Sequence, residues 1–192
     1  MPCHEKSRRL LEAAAVILAE SAGQTLNIVS LNKAIFYLDL VSLRDIGETF
    51  TQNVFVALSK GPVVAKYNKR LVKALADEGI ATQSNAGLAR PVTLQKLPTF
   101  LELTERVNGS AREIAQWISG KTSAEASDFS HDNIGWALAY REGLQGCGMA
   151  APINMHLAMQ QIVEDDPWLS VPFTRDSDTA FHAADLDQGN VW

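Results

Sequence analysis

Cysteine is scarce in this chain. There are two, Cys3 and Cys147, among 192 residues, and neither sits in a CxxC pair. That leaves no disulfide framework and no four-thiolate zinc site, and it favours a reducing compartment. Long apolar runs are missing as well. The longest, Ala13 to Ala19, falls far short of the roughly 20 residues that span a bilayer. A basic start with Lys6, Arg8 and Arg9 leads into Leu10 to Leu18, the outline of a signal peptide. Glu12 interrupts that run, Glu20 closes it, and Ala22-Gly23-Gln24 is a poor cleavage site. A first amphipathic helix in a cytoplasmic protein is the better expectation.

Basic charge is also in deficit. The formal net charge is −5, which weighs against binding to a phosphate backbone. Metal-ligand patterns are absent: His4, His131, His156 and His182 form no HxH or HxxxH pair. The faint calcium-loop pattern Asp185-x-Asp187-x-Gly189-Asn190 lacks glycine at its sixth place and glutamate at its twelfth. No GxSxG, Walker or GxGxxG motif occurs, and the glycines Gly143, Gly146 and Gly148 follow no strand pattern. Neither a metal, a cofactor nor an enzymatic activity is expected.

What remains is an ordinary globular composition, 46% hydrophobic and 20% charged. Its periodicity predicts a mainly α fold with a small β element, a short strand and a hairpin. Leu10, Ala14, Ile17 and Leu18 recur at helical spacing over 7–22, with Ser7 as cap and Gly23 as stop. Ile28, Leu31, Ile35 and Leu38 mark a central helix over 28–45, started by Asn27 and ended by Gly47. Phe50 to Leu58 reads as a strand, followed by a turn at Lys60-Gly61-Pro62 and a helix over 63–78. Ile80–Thr82 and Val92–Leu94 read as a hairpin joined through Ser84-Asn85-Ala86-Gly87.

Further on, Pro98 opens a helical segment that Asn108-Gly109 should break, and Ser110 should cap a helix containing Ala111, Ile114 and Ile118. Ser130 and Asp132 are expected to cap a helix bearing Trp136 and Leu138, and Pro152 to start a last one over 152–164. Apolar periodicity fades at about Ser170. One domain over 1–169 with a flexible acidic tail over 170–192 is therefore expected.

Two stretches stand out. Lys66, Lys69, Arg70 and Lys73 lie on one helix ahead of a hairpin. That order can make a winged helix, so a DNA-binding regulator is the runner-up; a solvated face suits the acidic whole better. The second stretch is Leu31-Asn32-Lys33-Ala34-Ile35-Phe36-Tyr37-Leu38-Asp39, followed by Leu43, Gly47, Val54 to Leu58, Lys60-Gly61-Pro62-Val63, and later Ser130-His131 and Trp136. This ordered set resembles the Panacea (SocA-like) antitoxin domain family, with its "LxKLLYFAD" helix, its "YGPV" turn and its "SH" then tryptophan signature. Ala34 and Lys60 depart from the pattern.

The resemblance implies an antitoxin that neutralises a cognate protein toxin by direct contact, in some members by delivering it to a protease. It implies no chemistry. A small hydrolase with an unrecognised site is a third reading, and a homodimer is left open. The expected partner-binding residues are Lys33, Phe36, Tyr37, Lys60, Gly61, Pro62, Val63 and Tyr67. Asp39, Gly47, His131 and Trp136 are expected to serve the fold.

Overall fold

The computed structural model describes residues 3–84, 90–99, 104–146, 150–164 and 166–169. The expected acidic tail from 170, most of the loop Ser84 to Gly87, and Cys147 and Gly148 lie outside them.

The fold is mainly α with a small β element. Helix α2 (Ile28–Ile46) is its axis, buried at every position from Ser30 through Leu43. Asn27 caps it by accepting from the Ser30 N–H at 2.8 Å. Gly47 ends it in the left-handed region at φ 81°, its N–H on the Leu43 carbonyl. Helices α1 (Cys3–Glu20) and α4 (Glu105–Ser119) pack on α2 and on each other. Leu31, Ile35 and Leu38 meet Leu10, Leu18, Ile114 and Ile118 in one core. Each such side chain contributes about 1.5–3 kcal/mol by leaving water. A charge at Ile35 would unseat the helix against which α1 and α4 pack.

Two small sheets flank this core. Strands β1 (Thr25–Asn27), β4 (Ala81–Gln83) and β5 (Pro91–Leu94) form an antiparallel sheet in the order β1-β5-β4. Strands β2 (Phe55–Leu58) and β3 (Gly61–Val64) form a tight hairpin whose connection is Ser59-Lys60. Residues 151–153 join the outer edge of β2: Ala57 donates to Ala151 at 3.0 Å and Ile153 to Phe55 at 2.9 Å. The loop before β2 is held by Asp39, which accepts from the Thr51 N–H at 2.7 Å and its hydroxyl at 2.5 Å. Burial raises the Asp39 carboxyl to about 7, against the Thr51 bonds that lower it.

The remaining helices are α5 (Ser123–His131), α6 (Ile134–Gln145) and α7 (Met155–Met159). Gly135 lets α6 touch α7, since a Cβ there would lie 2.7 Å from the Ala158 nitrogen. Tyr37, Trp117, Phe129 and Trp168 pack as an aromatic cluster at centroid distances of 4.9–6.1 Å. Arg44 ties the last residues to α2 by donating to the Ile162 carbonyl at 2.9 Å and pairing with Asp166.

Several expectations are corrected. The strand expected from Phe50 starts at Phe55, because Phe50 is core and Thr51 answers Asp39. No helix begins at Val63. The two valines there are β-branched and pair with β2, and helix begins only at the π-helical turn Asn68–Lys73, continued by α3 (Ala74–Asp77). Asn108-Gly109 do not break α4: Thr104 caps it, and Val107, Ala111, Ile114 and Ile118 form one buried stripe through the glycine. That burial outweighs the roughly 1 kcal/mol a helical glycine costs. Ser130 and Asp132 do not cap α6; Asn133 does, accepting from Trp136 N–H at 3.1 Å. Pro152 bridges to Val56 instead of starting the last helix, which Asn154 caps.

Candidate functional site at the β2–β3 turn

The β2–β3 turn is gripped from three helices. The Leu58 carbonyl accepts from Trp136 Nε1 of α6 at 3.1 Å. His131, the last residue of α5, bonds to the Ser59 backbone. The Lys60 carbonyl accepts twice, from Lys33 Nζ of α2 and from Ser127 Oγ of α5 at 3.1 Å. The Leu58 and Lys60 carbonyls, at the end of β2 and in the turn, are thus satisfied by side chains from far along the chain.

Strand β3 fits this setting for local reasons. The Ala65-to-Val54 bond of 2.8 Å marks one hydrogen-bonded pair, so alternation makes Ala57–Pro62 and Phe55–Val64 non-bonded pairs. Pro62, which has no N–H, costs the ladder nothing there. The Val64 N–H points away from β2 and is taken by Asn32 Oδ1 at 3.0 Å. Gly61 has φ 108°, in the region that favours glycine. A Cβ at Gly61 would press on Ser130 Oγ and lie 3.0 Å from Lys33 Cε and Nζ.

Lys33 is fully buried and its ammonium is lowered to about 7, by burial first and then by the charge of Lys60. Burial also lowers His131, helped by Lys33 and opposed by Asp128 and the Ser59 bond. The His131 ring stacks on Trp136 at 4.2 Å, and Trp136 stacks on Tyr140 at 4.9 Å. Burial pushes the Tyr37 phenol well up, with Asp132 adding to it. Its hydroxyl is bonded to Gln161 Oε1 at 3.3 Å, an atom that also accepts from Asn133 at 2.8 Å.

A lysine, two serines and a histidine in one place invite a hydrolytic reading. Their bonds do not support it. Lys33 and Ser127 donate to the Lys60 carbonyl, and Ser130 Oγ donates to the Ser127 carbonyl at 2.8 Å. These hydroxyls are spent on backbone acceptors and none is bonded to a base that would activate it.

The expected partner residues divide in two. Lys33, Phe36, Tyr37, Gly61, Pro62 and Val63 are buried. The expectation that Phe36 or Tyr37 meets a partner at the surface is therefore corrected: both rings are 0% exposed, and Phe36 packs edge-on against Phe55. The reason is that α2 is surrounded on all sides. Lys60 is exposed at the tip and Tyr67 half-buried. Asp39, Gly47, His131 and Trp136 each hold backbone or terminate a helix, as described above. Sequence reasoning passed over Asn32, Ser127 and Asn133. Asn32, a polar residue between Leu31 and the apolar run Ala34 to Leu38, was the one visible signal.

The family described as antitoxin SocA-like, Panacea domain, matches residues 31–137, more than half of the chain. The chain belongs to this family. No curated protein and no solved structure matches it. The Panacea match begins on α2 and ends in the first turn of α6, so it takes in every group that grips the turn. Helix α1 and the residues from α7 onward lie outside it. Among the described residues no helix is long and apolar enough to cross a membrane, and no cluster of side chains is arranged to hold a metal.

Proposed function

We propose that this chain is a cytoplasmic antitoxin that neutralises a cognate protein toxin by direct binding at the tip and outer face of the β2–β3 hairpin. The family supports the antitoxin role in general. One observation supports the place: the Lys60 main chain is held by Lys33 and Ser127, while its side chain is exposed. A turn fixed before binding loses little entropy when it binds. From Val54 through β2, Val54, Val56 and Leu58 alternate away from the core while Phe55 and Ala57 face it. Val54 is 53% exposed, an apolar anchor beside a charged tip. In this reading Lys33, Phe36 and Tyr37 position the turn without touching the toxin, and Tyr67 borders the contact.

The test is growth rescue and co-purification with the product of the adjacent open reading frame. Lys60→Glu should lose both while the protein stays folded, because the side chain is exposed. Retained rescue by Lys60→Glu together with Val54→Asp would place the toxin elsewhere. A harmless, uncaptured neighbour would count against the antitoxin reading. Measuring the toxin's half-life with and without this protein separates simple sequestration from delivery to a protease.

A further inference from the structure

From α1 to β5 the chain runs helix, strand, helix, helix, strand, strand, once the β2–β3 hairpin is set aside as an insertion. The first strand adds to the closing hairpin in the order β1-β5-β4, with Thr25 opposite Thr93 and Thr82 on its other side. This is the order of elements and of strands in a winged helix. In that arrangement the third helix enters the major groove and the hairpin lies along the backbone beside it.

The third helical run, Asn68–Asp77, has the burial such a helix needs. Leu71 and Leu75 are sealed in the core, while Asn68, Lys69, Lys73 and Ala76 are exposed. Lys66 is exposed just before it, and Arg70 is half-buried. Only Lys73 among these cations has an acidic partner among the described residues, Asp77 at 2.7 Å. The hairpin adds Arg90 at the start of β5 and Lys96 after it, both exposed. Between Lys66 and Lys96 there are six basic residues and two acidic ones, Asp77 and Glu78, in a chain of net charge −5. The whole-chain charge thus hides a segregated basic module, and a local field is what a phosphate backbone meets at contact distances near a Debye length of about 8 Å.

We propose that the helical run Asn68–Asp77 and the paired strands β4 and β5 form a duplex-DNA docking surface, with Lys66, Lys69, Arg70, Lys73 and Arg90 on phosphates. Topology and charge segregation point to it independently. The surface shares no residue with the β2–β3 tip, so toxin binding and DNA binding are separable properties of one chain.

The experiment is fluorescence anisotropy of the full chain with two labelled duplexes of about 30 base pairs, one of mixed sequence and one from upstream of its own gene. Binding with a Kd on the order of 1 μM is expected at about 50 mM salt. With about five phosphates neutralised, affinity should fall by about 500-fold on going to about 200 mM salt. The variant Lys66→Ala/Lys69→Ala/Lys73→Ala should weaken binding at least about tenfold with an unchanged melting temperature. Lys121→Ala, which removes a cation elsewhere, should not. No saturable binding to either duplex at about 50 mM salt, or binding that the triple variant keeps, overturns the inference. Toxin capture without DNA binding overturns it alone and leaves the antitoxin reading standing.

Discussion

The two hairpins of this molecule are built to opposite standards. In β2–β3 the turn backbone is bonded by Trp136, His131, Lys33 and Ser127, and every residue of β3 is buried. In β4–β5 the burial pattern is thin, and the strands are held mainly by their ladders to each other and to β1. One hairpin is part of the core with a single exposed tip. The other sets Ala81 and Val92 into the core and leaves Thr82 exposed to solvent. A rigid element can present one shape well; a lightly held one tolerates substitution and adjustment.

The largest effect should come from breaking the first hairpin at Gly61. Gly61→Val places a β-branched residue at φ 108° against Ser130 and Lys33. It should cost about 3 kcal/mol, a fall of about 10 °C in Tm by thermal melt for a chain of this size. A loss below about 1 kcal/mol would mean the turn relaxes at little cost.

Lys33 sharpens the comparison through pH. Its ammonium titrates near 10.5 when unfolded and near 7 when folded. Between those values the unfolded chain binds a proton that the folded chain does not. Stability from this group therefore rises with pH across that window and is lost as pH falls to 7. Asp39, raised from 3.8 to about 7, does the reverse below 7: the folded chain keeps its proton and stability falls as pH rises toward 7. Urea titrations at pH 7 and pH 9.5 should show the wild type gaining stability and Lys33→Met gaining little. Equal gains would remove Lys33 as the cause.

A smaller loss is expected at Trp136→Phe, which keeps the stacking on His131 and Tyr140 but leaves the Leu58 carbonyl without its donor. Denaturant midpoints should report about 1–2 kcal/mol. The least effect, and of opposite sign, belongs to the second hairpin. Arg90→Gly relieves φ 42° at an exposed residue and should stabilise by a few tenths of a kcal/mol, about 0.5. It should weaken DNA binding at the same time, so melting and anisotropy together read the two roles apart.

Much of the helical frame was legible. The α2 stripe, the Asn27 cap and the Gly47 stop are local signals, and local geometry obeys them. The hairpin β4–β5 was legible from its alternation and flanking glycine and proline. The helix expected from Val63 was not, because Pro62 suits a helix start and a non-bonded strand position equally well, and only pairing with β2 decides. Strand β1 was missed because three residues, Thr25–Asn27, carry no period of their own. The order of family-signature residues was readable as a string. Their roles were not, since a lysine in an apolar helix looks like a solvated residue until Lys60, 27 positions away, brings a carbonyl to it.

By itself the sequence determined where α2 starts and stops, that the fold is mainly α, and that its signature resembles the Panacea domain family. These rest on short-range sterics, caps and apolar period, which act within a few residues. Only the tertiary structure decided that Phe36 and Tyr37 are core, that Lys33 is buried and spent on a turn, and that Lys60 stands alone at the tip. It also decided that β1 completes the sheet beside a basic helix. Burial and hydrogen-bond satisfaction belong to the packed chain, because each depends on which distant backbone arrives alongside.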